Sequence, residues 1–335
     1  MISSNFHTSQ SGSEPLDERT AALCRCGDYT PQFVEEALCK LFTLFGGIEQ
    51  FVRPTDRVLV KPNLIVPAGV HQPAQTHPAV IVATGKLLKE AGARPMVGDS
   101  PAWSEAGTCL RALGIDQTLQ KMGIPIVQLD RPVRTSVDGI RVGISRVALE
   151  ADVILNLPKL KAHQQLGATF AVKNMYGCVA GKEKAFRHFT RGQDPESFCR
   201  MLIGIYQRLA PALTIVDGIV AMEGQGPIQG SPKPLGFLIG GRDPIACEYA
   251  CCRLIGLDPM TLPILRTAAG MGFGCPDDKS LILIGDDYAD QVCRDFRFAE
   301  QTPLRFTFPR ICRSVARQAY LLAKGALSRG RGSGG

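Results

Sequence analysis

The chain has 335 residues, 45% hydrophobic and 21% charged, so it can bury a sizeable core and is not a disordered polymer. Its formal net charge is +7, but part of that excess sits in the C-terminal stretch (Arg310, Arg313, Arg317, Lys324, Arg329, Arg331), and a single tryptophan leaves no basic stripe interleaved with aromatics, which argues against nucleic acid as a partner. No apolar run approaches the roughly 20 residues that span a bilayer, and the polar start MISSNFHTSQSGSEPLDER has no apolar signal region, so the expected location is the cytoplasm.

Residues 1–19 read as a disordered lead. Thr20 to Arg25 predicts a first strand, and Thr30 with Pro31 is expected to cap a helix that reaches Leu44 and stops at Gly46-Gly47. Arg57 to Val60 predicts a strand that leaves through Lys61-Pro62-Asn63 into a loop from Val66 to His77. Thr76 is expected to cap the next helix, with His77 and Pro78 in its first turn and its end at Glu90. A strand from Arg94 to Val97 runs into Asp99-Ser100, a helix covers Glu105 to Leu113, and Ile124 to Leu129 and Ile140 to Val147 read as a strand and as a strand or hairpin arm.

The densest polar stretch lies between Val153 and His188. Val153 to Leu155 reads as a buried strand, and Pro158 forces an extended exit in which Lys159, Lys161 and His163 alternate onto one face. Gln164 to Tyr176 reads as a helix, placing Thr169 and Lys173 on one side with Asn174 beside them. Lys182, Lys184, Arg187 and His188 follow, with Glu183 as the one acid among them, and such an excess of cations suits a pocket for an anion.

Beyond it, Asp194 to Leu209 reads as a helix, Leu213 to Val216 as a strand ending in Asp217, and Ala221 to Gly230 as a glycine-rich loop carrying Glu223. Gly236 to Ile239 is a strand that runs into Asp243, followed by helices at Ile245 to Ile255 and Leu262 to Gly270 and a strand at Ser280 to Ile284. Residues 301–335 read as a basic helical tail with a flexible end. Ile311, Val315, Ala319 and Leu322 recur at helical spacing there, which fits packing on the body or docking on an acidic membrane surface.

This alternation predicts an α/β fold: a largely parallel, doubly wound sheet with helices on both faces. It is expected either as one unit over residues 20–300 or as two intimately packed halves divided near residue 150. Five predicted strands run into Lys61 to Asn63, Asp99, Asn156 to Lys159, Asp217 and Asp243, and in open parallel sheets ligands bind beyond the carboxyl ends of strands. One shared site is therefore expected, with Lys173, His163, Lys61 and Glu223 as catalytic candidates. Burial would make Lys173 a base or a Schiff-base nucleophile, and its structural alternative is an ion pair with Asp99 or Asp217. Asn63, Lys159, Lys161, Thr169, Asn174, Lys184 and His188 are expected to bind the anion, and Asp99, Asp217 and Asp243 to orient the cations, although Asn63 suits an Asx-turn and the aspartates suit caps. His77 is the candidate metal ligand, without an HExxH-type spacing around it. The twelve cysteines contain no CxxC pair and read as small buried hydrophobes in a reducing compartment.

The segments VLVKPNLI, THPAVI, VGDSP, LNLPKLKAH, KNMYG with Gly181, Lys184 and His188, IVDGIVAMEGQGP and GRDPIA occur in this order. Together they resemble the DUF362 family, a domain of unknown function, over roughly residues 20–290. Many members of that family carry ferredoxin-type 4Fe–4S modules, so the resemblance implies redox chemistry. This chain lacks the CxxCxxC run and looks like a stand-alone form, in which an iron–sulfur role would need a ferredoxin-like electron donor from outside. The layout is also similar to the lactate racemase family, whose members use lysine and histidine around a nickel pincer cofactor. The expected function is an enzyme, of oxidoreductase type, that acts on a small anionic, carboxylate-type substrate with Lys/His acid–base groups. The alternatives are a metal- or iron–sulfur-binding maturation protein without turnover and a racemase-like lyase or isomerase.

Overall fold

The computed structural model describes residues 16–101, 104–180 and 194–300. Lys184, His188, the tail 301–335 and most of the N-terminal lead lie outside the described residues. The strands are β1 (Thr20–Arg25), β2 (Arg57–Pro62), β3 (Arg94–Asp99), β4 (Ile126–Gln128), β5 (Pro132–Val137), β6 (Ile140–Ser145), β7 (Val153–Leu157), β8 (Lys159–His163), β9 (Gly167–Thr169), β10 (Leu213–Gln225), β11 (Gln229–Gly241) and β12 (Ile282–Gly285). Ten of them form one sheet, in the order β12-β1-β11-β10-β7-β2-β3-β4, with β8 on β10 and β9 on β8, while β5 and β6 form a separate hairpin. The strands on either side of residue 150 share this sheet, because β7 pairs with β2. Only the pairings made by β11 and β9 are antiparallel within it.

Alternation along the strands sends side chains into two cores. Val58, Val60, Val97 and Leu155 pack under the helices Pro31–Leu44, Pro78–Glu90 and Ala106–Ala112 through Leu38, Leu41, Ile81, Leu88 and Leu110. Leu23, Leu59, Ile154 and Val216 face the other way, toward the helices Pro195–Leu209, Pro244–Leu254 and Pro263–Met271. The fold is thus α/β, with a mostly parallel sheet covered on both faces. No helix among the described residues is long and apolar enough to cross a membrane.

Four local expectations are corrected. Gln164 to Tyr176 is not a helix: β8 turns back into β9 at Gly167, whose φ of +76° suits glycine, and a 3-10 helix covers Val172–Cys178. The glycine-rich stretch 221–230 is not a loop but the end of a long β10–β11 hairpin, in register from Ala221↔Lys233 to Gln225↔Gln229. Its tip lies on β8 so closely that a Cβ at Gly226 would overlap the carbonyl of Ala162. Thr30 holds the cap position of its helix without a capping side-chain bond, and the cap of Pro78–Glu90 is His77, whose Nδ1 accepts from Ala79 N. Thr76 works differently: Oγ1 accepts from Asn63 N (2.8 Å) and donates to Leu157 O (2.6 Å), which ties the exit of β2 to the end of β7.

Candidate functional site

From β2 the chain moves outward through β3 to β4, then returns to lay β7 on the other flank of β2 and β10 beyond it. This reversal makes a switch point between β2 and β7, where loops diverge and leave a crevice at the carboxyl ends of the strands. Lys61 pairs with Asn156 across that point. Pro158 interrupts the ladder, so β7 pairs with the start of β10 and β8 with its middle, bringing Lys159 opposite Asp217.

Lys61, Lys159 and Lys161 are 0%, 2% and 3% exposed, and a lysine is rarely buried so deeply without a partner. Two of them have carboxylates. Lys61 Nζ lies 2.8 Å from Asp99 Oδ1 and donates to Pro62 O (2.8 Å) and Asn174 Oδ1 (3.2 Å). Asp99 also accepts from Leu64 N and Ser100 N. Lys159 Nζ donates to Asp217 Oδ2 (2.8 Å) and Tyr29 Oη (2.7 Å). Asp217 in turn accepts from Tyr29 Oη and from His77 N. Burial lowers the Lys159 ammonium while Asp217 opposes that shift.

Lys161 and the fourth lysine of the site, Lys173, have no carboxylate partner among the described residues. Among the described residues Lys161 Nζ donates only to neutral oxygens, Asn63 Oδ1 and Ala74 O (3.0 Å). Burial, then the neighbouring charge of Lys173, brings it well below the usual lysine range, with Lys61 and Lys159 adding to the effect and Asp99 opposing it. Lys173 is half-buried on the 3-10 helix and makes no hydrogen bond or ion pair among the described residues. Burial, with Lys61 nearby, brings its ammonium down to about 8. The expected alternative, a pair of Lys173 with Asp99 or Asp217, does not form, because Lys61 and Lys159 occupy those carboxylates.

Lys159, Lys161 and Lys173 line one cavity with Asn63, Pro158, Thr169, Phe170 and Asn174. Its volume is about 20 Å³, room for one or two water-sized groups. Thr169 Oγ1 is buried there without a hydrogen-bond partner. Asn174 is fixed from all sides: its Oδ1 accepts from Asn63 Nδ2 and Lys61 Nζ, and its Nδ2 donates to Lys61 O and Asn156 Oδ1. Lys61, Asn63, Asp99, Lys159, Lys161, Thr169, Lys173, Asn174 and Asp217 therefore meet at one rim, although Thr169 and Lys173 share no helix.

Four candidates stand apart. His163 lies two residues beyond Lys161 on β8, outside the cavity lining, and its Nδ1 accepts from Gln165 N. Glu223 is held by Arg297, whose N and Nε donate to it at 2.9 Å; burial raises this carboxyl, but the Arg297 bonds outweigh that and leave it lowered. Asp243 is on the opposite rim, because β11 runs antiparallel to β10; it caps the helix Pro244–Leu254 through Ile245 N and also accepts from Cys275 N. His77 is a cap that stacks on Tyr29 at 3.5 Å, and burial lowers its imidazole to about 4. No group of three or more His, Cys, Asp or Glu side chains that could hold a metal ion gathers among the described residues.

Sequence reasoning missed Tyr29 and Glu248. Tyr29 follows β1, far along the chain from its partners, and its hydroxyl also receives Val220 N, freed by the irregularity between Gly218 and Val220 in β10. Glu248, 1% exposed, accepts from Val172 N (3.0 Å) at the base of the Lys173 turn, and its Oε2 has no partner. An acid in the apolar helix IACEYACC was the available signal.

Comparison with known proteins adds three findings. A family model described as a domain of unknown function, DUF362, matches residues 58–253. A thylakoid-associated protein of Synechocystis sp. is 36% identical over 307 residues, covering 90% of this chain and 95% of that protein. The lactate racemase apoprotein from Thermoanaerobacterium thermosaccharolyticum aligns with a TM-score of 0.46 at 12% identity, over 73% of this chain and 60% of its own.

Proposed function

The chain belongs to the DUF362 family, and from that premise we propose that it binds a small carboxylate-bearing molecule at the rim and moves a proton on it. The observation that carries this reading is an imbalance. Four lysines converge on the switch point, two aspartates each hold one of them, and among the described residues Lys161 and Lys173 are left without a counter-charge. Removing charge from water is costly, and a fold gains nothing by gathering amines it does not pair. A carboxylate in the cavity would supply the missing partner.

Lys161, set between Asn63 Oδ1 and Ala74 O, is aimed to hold the carboxylate. Its lowered affinity for a proton in the empty site is restored by an arriving anion, so binding draws a proton in. Lys173, with its ammonium at about 8, is the amine that can accept a proton from the bound molecule near neutral pH. Lys61 and Lys159 stay paired and shape the positive field around both.

Titration calorimetry with acetate, in two buffers of different ionisation heat, tests this. Expected are proton uptake on binding and an affinity that falls as pH rises above 7. A charge-assisted hydrogen bond contributes about 1.5–3 kcal/mol, so Lys161→Met and Lys173→Met should each weaken binding at least about tenfold. The melting temperature of Lys173→Met should not fall, because this side chain has no hydrogen bond or ion pair to lose among the described residues and methionine keeps its apolar stem. Equal acetate affinity in wild type and both variants would remove the proposal.

A further inference from the structure

We infer that the bound molecule carries a carbonyl as well as a carboxylate, and that Lys173 Nζ joins this carbonyl as an imine, which makes oxo acids the substrate class. The inference rests on the anion-binding reading above and adds a covalent step to it. Among the four lysines, Lys61 and Lys159 are held in ion pairs, and Lys161 already donates to two oxygens, with its remaining N–H for the carboxylate. Lys173 alone of them has its nitrogen uncommitted among the described residues, and a free lone pair is what a nucleophilic amine needs.

Its surroundings suit the reaction. The turn that carries Lys173 is pinned from behind where Glu248 accepts from Val172 N, so the amine is presented from a fixed base. Pro158 and Phe170 give the cavity apolar walls on either side of the amine. Thr169 Oγ1, buried and unpartnered on the same wall, is a donor waiting for an acceptor.

The step balances without any oxidant or reductant. The lone pair of neutral Lys173 forms a C–N bond as the C=O π pair moves to oxygen, which Thr169 can meet with its hydroxyl. After proton transfer from nitrogen to oxygen, the carbinolamine loses its oxygen as water with uptake of one proton, and the nitrogen pair closes the C=N bond. The products are a protonated imine and water. Lys161 holds the carboxylate throughout, and the cationic imine formed at the former carbonyl carbon draws electrons from the carbon beside it, which eases removal of a proton there.

Borohydride trapping tests the imine. The full-length protein is incubated with pyruvate and sodium borohydride, and the product is read by intact mass and peptide mapping. Expected is one reduced pyruvate adduct per chain, located on Lys173, suppressed by excess acetate and absent from Lys173→Met. In Lys161→Met the trapping rate with pyruvate should drop about tenfold, while trapping of acetaldehyde, which has no carboxylate, should change far less. Acetate binding without any trapped adduct would overturn the imine and leave the anion site intact. Adducts scattered over other lysines at the rate seen in Lys173→Met would overturn it too. Loss of both acetate binding and trapping in the wild type would sink this inference together with the reading beneath it.

Discussion

A methyl group at position 177 would overlap Asp99 Oδ1 and the end of Lys61. Gly177 has no positive φ to explain it, so the empty space above its Cα is what the fold requires there. Both threatened atoms end flexible side chains, but the two are 0% and 2% exposed and bound to each other, so neither has anywhere to move. Breaking a buried pair costs about 3–5 kcal/mol, and Gly177→Ala should lose about 3 kcal/mol in chemical denaturation and weaken acetate binding with it. Full stability and full affinity in that variant would mean that the pair has slack the geometry does not suggest. At this scale the sequence was legible in part. KPN after a strand and PKLK after another announced Lys61, Lys159 and Lys161. Which lysine would take which aspartate was not written there, since partners such as Lys61 and Asp99 meet only through strand order.

The segment Val172–Cys178 and the helix Pro244–Leu254 form a unit through Glu248. Burial raises the Glu248 carboxyl from 4.5 to about 7, and the backbone N–H groups of Val172 and Ala171 only partly offset that. Cys247, Cys251 and Cys199 around it are thiols pushed upward by burial. A carboxyl whose pKa is higher in the folded state contributes stability that is whole below its unfolded value and is lost as pH rises through the folded one. Wild type should therefore lose stability relative to Glu248→Gln as pH rises from about 4.5 to about 7, and above that the glutamine variant should be the more stable. Parallel curves for the two proteins would contradict this. The same region shows where periodicity misled. Apolar residues in Gln164 to Tyr176 recur with helical spacing, yet Gly167 turns the chain into a hairpin and the rest winds more tightly. Short apolar stretches do not distinguish these outcomes.

Over the whole molecule, one reversed strand divides the predicted site. β11 runs against β10 and β1, so Gly241 stands beside Thr214 at the start of the parallel strands, and Asp243 is carried to the far rim. There it satisfies Ile245 N and Cys275 N. Asp243→Ala should cost about 2–3 kcal/mol, for a lost cap and an orphaned buried N–H, while acetate binding and its proton uptake stay at wild-type levels. A change in affinity there would mean that the two rims communicate.

The sequence by itself determined the family, the α/β alternation and most strands and helices, and it named all four lysines as candidates for one site, because hydrophobic period and local turn chemistry are properties of neighbours along the chain. Only the tertiary structure decided that β11 is antiparallel, that Glu223 belongs to Arg297 and His77 to a helix cap, and that Lys161 and Lys173 have no carboxylate among the described residues. Each of these depends on which distant backbone supplies the hydrogen bonds and which charge arrives first at a buried partner, and no local pattern encodes either.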